Sequence, residues 1–216
     1  MHKKHLMVID PAVEKPAIES FNRISRITEY PVTYHLPALF GFENSLRIKQ
    51  NVKGIIVLGS AASVHDGFRW QEELTNILEE SFDNNIPVIG ICYGHQHIAH
   101  ICGGKVGLLW DDNKKQGVRN VKLIKDKLYG GACNGPMIYS HKEGVTEIPE
   151  NFEIIAKSDM VNVDGFASTT KPIWGFQTHI EATQAFIDHH NIPLGDIDNP
   201  CQFGHKILDS FINFLS

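Results

Sequence analysis

Hydrophobic positions follow two rhythms in the first half of the chain. Short apolar runs, Leu6–Ile9, Ile55–Leu58 and Val88–Ile91, are bounded by turn signals: Asp10-Pro11 after the first, Gly54 and Gly59 around the second, Pro87 before the third. Runs this short, without polar alternation, read as strands buried on both faces. Val32–Leu36 reads as a further strand. Between them the apolar spacing becomes helical. Ile18, Phe21 and Ile24 follow Pro16, which is suited to opening a helix. Trp70, Leu74, Ile77, Leu78 and Phe82 form a stripe with Glu72, Glu73, Glu79 and Glu80 mostly off it. Another helix is predicted from about Tyr93 to Cys102, stopped by Gly103-Gly104.

Strands alternating with helices predict a parallel sheet covered on both faces. The second half changes character. Val118–Lys125, Met137–Ser140, Phe152–Ala156 and Pro172–Gln177 read as strands with few helices between, which predicts an antiparallel extension of the same domain. Phe203, Ile207, Leu208, Phe211, Ile212 and Leu215 share one helical face and predict a closing helix. No repeat, low-complexity tract or clear linker interrupts the pattern, so residues 1–216 are expected to form a single α/β domain.

Composition narrows the function. With 42% apolar and 21% charged residues, the 216-residue chain can bury a core without disulfide or metal staples. A net charge of −5 argues against nucleic-acid binding, which needs clustered positive charge. No apolar run approaches a membrane span, and Leu6–Ile9 is shorter than a signal-peptide core, so no membrane association and a cytoplasmic location are expected. Four scattered cysteines without a Cys-x-x-Cys pair predict reduced thiols rather than a disulfide framework or structural zinc.

The strongest chemical signal is Gly90-Ile91-Cys92-Tyr93-Gly94, between a predicted strand and a predicted helix. This is the cysteine form of the G-x-S-x-G nucleophile elbow. A sharp strand-to-helix turn lifts the sulfur above the C-terminal edge of the sheet, where open α/β folds bind ligands. The helix N-terminus then favours thiolate over thiol. Without that context, Cys92 would read as a small buried hydrophobe.

A cysteine nucleophile needs a base and a group to orient it. His179 and Glu181 are two residues apart, and in an extended segment both point to one side. Glu181 is then placed to fix the tautomer of His179 and stabilise its imidazolium. His179 acting as base predicts activity that falls in acid as the ring becomes protonated. The loop from Gly59 to Val64, after a buried strand, reads first as an ordinary Gly-rich turn and second as a source of N–H groups that join that of Tyr93 as an oxyanion hole. Neither phosphate-cradling glycine motif is present, and no cofactor is expected. His97 and His100 are three apart on one helix but have no carboxylate partner, so no metal site is expected. His189-His190 read as a solvated helix end, Lys114-Lys115 and Asp111-Asp112 as surface charge, and Trp70, Trp110 and Trp174 as packing.

These motifs resemble those of the class I, triad-type glutamine amidotransferases. Gly90, Cys92, Gly94 and Gln96 match the family's G-x-C-x-G-x-Q, and Gly175, Gln177, His179 and Glu181 match its G-x-Q-x-H-x-E. Within the family the likeness is greatest to the glutaminase domain of GMP synthase, through Cys92-Tyr93-Gly94, Ser140-His141 with Gly144-Val145, and Glu181-Ala182-Thr183. The resemblance implies a flavodoxin-like, doubly wound, mostly parallel sheet with an antiparallel extension. It implies attack by Cys92 on the glutamine side-chain amide, with His179 and Glu181 completing a triad. Oxyanion donors from Gly59, Ser60 and Tyr93, and glutamine contacts from Gln96, Ser140 and His141, follow from it too.

Two departures stand out. Gly59-Ser60-Ala61 replaces the family's Gly-Gly-Pro, so if the second position needs φ > 0, Ser60 brings strain or stops the hole preforming. Ser140-His141-Lys142-Glu143 replaces Ser-His-Gly-Asp. A domain of this kind takes up nearly the whole chain. Ammonia therefore passes to a separate synthetase partner of the ATP pyrophosphatase type, or water is the only acceptor. The second case makes the protein a stand-alone γ-glutamyl hydrolase or transferase acting on γ-glutamyl amides or peptides. A catalytically poor protein that binds glutamine for regulation is a third reading, motivated by Ser60 and by Lys142-Glu143.

Overall fold

The computed structural model describes residues 4–42 and 51–216. In chain order the elements are β1 (His5–Ile9), α1 (Ile18–Ile27), β2 (Val32–His35), α2 (Pro37–Phe40), β3 (Val52–Val57), α3 (Arg69–Asp83), β4 (Val88–Ile91) and α4 (Tyr93–Ile101). There follow β5 (Lys105–Leu108), β6 (Lys115–Leu123), β7 (Cys133–His141), β8 (Glu143–Glu147), β9 (Phe152–Lys157), β10 (Gly165–Ser168) and β11 (Ile173–Phe176). The helices α5 (Gln184–His190) and α6 (Gln202–Phe214) come last.

The main sheet has nine strands in the order β2-β1-β3-β4-β11-β10-β9-β6-β7. Its first five strands run parallel, with Leu6 beside Gly54, Ile55 beside Val88 and Gly175 beside Gly90. The remaining four continue antiparallel. The parallel half has the 2-1-3-4-5 order of flavodoxin-like folds, whose ligand crevice lies where the order reverses beside β1. This is the doubly wound architecture expected from the sequence.

Two-residue alternation explains why both faces are covered. Leu6 and Val8 of β1, Ile56 of β3, Ile89 and Ile91 of β4 and Trp174 and Phe176 of β11 join one cluster with Ile24 of α1 and Ile207, Leu208, Phe211 and Ile212 of α6. The opposite residues, Met7, Ile9, Ile55, Val57, Val88 and Ile173, pack with Leu74, Ile77, Leu78 and Phe82 of α3 and Ile98 and Ala99 of α4. No described helix is long and apolar enough to cross a membrane.

The structure differs from the sequence-based expectation in two respects. β11 belongs to the parallel half rather than to the antiparallel extension, since it pairs with β4. Its residues are all buried, as a strand covered on both faces requires. The sequence reading also lacks β5, β8, β10 and α2, and gives only the end of α5, at His189-His190. Each is only four to seven residues long and too short for a clear period.

Candidate active site

A cavity of about 480 Å³ opens at the C-terminal edge of the parallel strands. Asp10 follows β1, Gly59, Ser60 and Ala61 follow β3, Cys92 follows β4, and His179 and Glu181 follow β11; all line it. Four separate strands thus deliver their first loop residues to one place. Ser140, at the end of β7, and residues of the segment 12–20 and of α5 complete the wall.

The Cys92 elbow is built by close packing. Cys92 has φ 51° and ψ −99°, a strained backbone for a non-glycine residue, held by its N–H bond to the Phe176 carbonyl at 2.8 Å. A β-carbon at Gly90 would sit 2.4 Å from the Gly94 backbone, and one at Gly94 would sit 2.4 Å from the Val57 carbonyl oxygen. Only glycine lets α4 start this close to β3 and β4. Cys92 is 4% exposed, at the helix N-terminus.

His179 donates from Nδ1 to Glu181 Oε1 at 2.8 Å. The two meet across a turn rather than along the extended segment the sequence suggested, with His179 anchored by its N–H to the Ile138 carbonyl at 2.8 Å. Burial alone pulls the imidazole pKa down. The charges of Glu181 and Cys92 and hydrogen bonds to both outweigh it and raise the value to about 10. Its surroundings therefore favour the imidazolium form of the ring, with Glu181 and Cys92 opposing the effect of burial. Phe186 of α5 lies against His179 with ring centroids 4.4 Å apart.

The proposed oxyanion donors lie nearby. Among the described residues no acceptor is paired with the main-chain N–H of Gly59, Ser60 or Tyr93. Ser60 is absent from the positive-φ residues, so it brings no left-handed strain there. Its hydroxyl instead donates to the Pro11 carbonyl at 2.7 Å and accepts from the Ala62 N–H at 3.1 Å.

Of the residues expected to hold substrate, only Ser140 lines the cavity. Gln96 is buried away from it and donates to the Glu143 carbonyl at 2.8 Å and to Gln177 Oε1 at 3.2 Å. Gln177 in turn points its Nε2 at the Cys92 sulfur, 3.7 Å away. His141 donates from Nδ1 to the same Glu143 carbonyl at 2.8 Å and accepts from Arg119 at 2.9 Å. Burial and then the Arg119 charge push its pKa to about 3. Both side chains support the site from behind rather than facing the cavity.

Sequence reasoning missed three features. Arg119 forms a buried ion pair with Asp164, next to His141; neither belongs to a motif, so only coordinates reveal them. Asp10 folds the segment after β1 by accepting from the N–H groups of Ala12 at 3.1 Å and Ala17 at 2.7 Å. His189, His190 and Lys114, read as surface residues, line the cavity mouth. Asp112, read as surface charge, forms an exposed ion pair with Lys142. Among the described residues no group of three or more His, Cys, Asp or Glu side chains is arranged to hold a metal ion.

Comparison with known proteins adds to this geometry. The family model described as glutamine amidotransferase class-I matches residues 24–194. The chain is 35% identical over 166 residues to the GMP synthase [glutamine-hydrolyzing] of Clostridium novyi, covering 76% of this chain and 28% of that protein. It is 34% identical over 163 residues to a single subunit of the GMP synthase [glutamine-hydrolyzing] of Methanosphaera stadtmanae, covering 74% of this chain and 82% of that subunit. The match thus spans little more than a quarter of the long relatives but most of the Methanosphaera stadtmanae protein. Among solved structures, a glutamine amido transferase from Methylobacillus flagellatus superposes with a TM-score of 0.78 at 16% identity, over 98% of this chain and 94% of that one. A glutamine amidotransferase from Thermotoga maritima gives 0.73 at 17% identity, over 100% and 99%. At these identities the two structures bear on the fold alone.

Proposed function

This chain belongs to the class-I glutamine amidotransferases, and on that premise we propose that it hydrolyses the side-chain amide of glutamine and hands the ammonia to a separate synthetase chain. The observation that carries the chemistry is the Nδ1–Oε1 bond of 2.8 Å between His179 and Glu181 in the cavity that also holds Cys92. The Cys92 sulfur attacks the amide carbon, and the C=O electron pair moves to oxygen. N–H groups of Gly59, Ser60 and Tyr93, with no acceptor among the described residues, receive that oxyanion. His179, already protonated, gives its proton to the departing nitrogen, and ammonia leaves as the C–N bond breaks. The neutral ring then takes a proton from water, whose oxygen attacks the γ-glutamyl thioester and releases glutamate and the thiolate. Glu181 holds the ring and balances its charge throughout.

The Methanosphaera stadtmanae relative is named as one subunit of its enzyme, which supports a split arrangement. On this reading the acceptor of ammonia is an ATP pyrophosphatase-type chain in the cytoplasm. Incubating the protein with glutamine or γ-glutamyl peptides, with and without such a synthetase chain, and measuring ammonia and glutamate tests this. Turnover of glutamine, abolished in Cys92→Ala and raised by the synthetase chain, is the expected result. Preference for γ-glutamyl peptides without a partner would instead indicate the stand-alone γ-glutamyl hydrolase.

A further inference from the structure

Behind the proposed oxyanion donors lies a closed ring of hydrogen bonds that the catalytic reading does not use. Gln71 of α3 is 5% exposed and fully committed. Its Nε2 donates to the Ser63 carbonyl at 2.7 Å and to the Tyr93 hydroxyl at 2.9 Å, and its Oε1 accepts from the Phe68 N–H at 2.8 Å. The proton order around the ring is fixed by Thr75, whose hydroxyl donates to the Gln71 carbonyl at 3.0 Å. Thr75 Oγ1 must then accept from His97 Nε2 at 3.1 Å, which leaves His97 Nδ1 to accept from the Tyr93 hydroxyl at 3.1 Å. His97, which the helical spacing offered as half of a metal pair, is instead a member of this ring.

The ring joins two chain segments. One is the loop 59–63, which carries the Gly59 and Ser60 N–H groups; the other is the start of α4, which carries the Tyr93 N–H. An oxyanion hole stabilises charge only when its donors are held at hydrogen-bond distance from the developing oxygen. We propose that Gln71 is a positioning residue of the oxyanion hole, its amide setting the separation between the 59–63 loop and the Tyr93 main chain through Ser63 and the Tyr93 hydroxyl. This inference rests on the glutaminase reading above. Because Ser60 is also anchored to Pro11 and Ser63 to Glu143 at 3.1 Å, loss of Gln71 shifts the donors without releasing the loop.

Gln71→Met and Tyr93→Phe test it. The second removes only the hydroxyl and keeps the ring and the main-chain N–H, so it carries the test if the first variant does not fold. Each is assayed for glutamine hydrolysis and for alkylation of Cys92 by iodoacetamide. In alkylation the sulfur–carbon bond forms as iodide leaves, and no oxyanion develops. The expected result is a kcat per alkylatable Cys92 about 10-fold lower, less than the roughly 10²–10³-fold loss of a whole donor, with KM and alkylation rate within about two-fold of wild type. Unchanged kcat, or alkylation slowed as much as hydrolysis, overturns the inference while leaving wild-type glutaminase activity in place. A wild type that never hydrolyses glutamine, with or without a synthetase chain, overturns the underlying reading and this inference with it.

Discussion

Gly59 approaches His179 so closely that a β-carbon on it would sit 2.9 Å from the ring's Cε1 and 3.5 Å from the Cys92 β-carbon. The loop after β3 is thus packed directly against the imidazole. Gly59→Ala should push the ring or the loop aside while leaving the fold intact. A displacement near 1 Å costs about 10²-fold in rate. Steady-state hydrolysis of glutamine, alongside a circular-dichroism melt, checks both parts.

The raised pKa of His179 sets an alkaline limit. The imidazolium must be present to protonate the leaving nitrogen, so kcat/KM should fall as pH rises through about 10. Glu181→Gln removes one influence that raises the value and leaves the opposing effect of burial, so the limb should move to lower pH. The sign for stability is the same: a pKa raised above 6.5 by folding gives a contribution complete below pH 6.5 and lost as pH climbs towards 10. A limb that stays in place in Glu181→Gln would argue against their coupling.

Acid should destabilise the fold by a separate route. Burial, the main cause, lowers His95 and His141 to about 3 and His97 to about 4, so these rings are neutral when folded and take up protons on unfolding. Their contribution is present above pH 6.5 and is lost as pH falls towards 3–4. Each adds a slope of about 1.4 kcal/mol per pH unit within that window. Urea denaturation at pH 7, 6 and 5 should show stability dropping steadily.

Arg119 and Asp164 form a buried pair, and removal of one partner leaves an uncompensated charge. Arg119→Ala should cost about 3–5 kcal/mol in urea denaturation, whereas Lys142→Ala, in an exposed pair with Asp112, should leave the unfolding midpoint nearly unchanged.

The strands that carry the site were legible because each is short, apolar and punctuated by Gly, Pro or Asp. Cys92, His179 and Glu181 were legible because chemistry concentrates their residue types in two motifs. The turn joining His179 to Glu181 was not, because spacing alone does not separate a turn from a strand. Gln96 and His141 were expected to touch substrate because their motifs mark them, yet their polar atoms are engaged by Glu143, Gln177 and Arg119. Most of those partners lie far along the chain, and a contact of that range leaves no local periodicity. Gln71 and Asp164 escaped notice for the same reason.

In the proposed mechanism Cys92 alone carries the γ-glutamyl group. Burial raises Cys102 and Cys201 to about 11, and Cys133 is exposed but lies outside the cavity lining. Rapid acid quenching of the protein during glutamine turnover, followed by peptide mass mapping, should show a γ-glutamyl adduct on the Cys92 peptide alone and none in Cys92→Ala. Turnover with that peptide unmodified, or with the adduct on Cys133, would contradict the account.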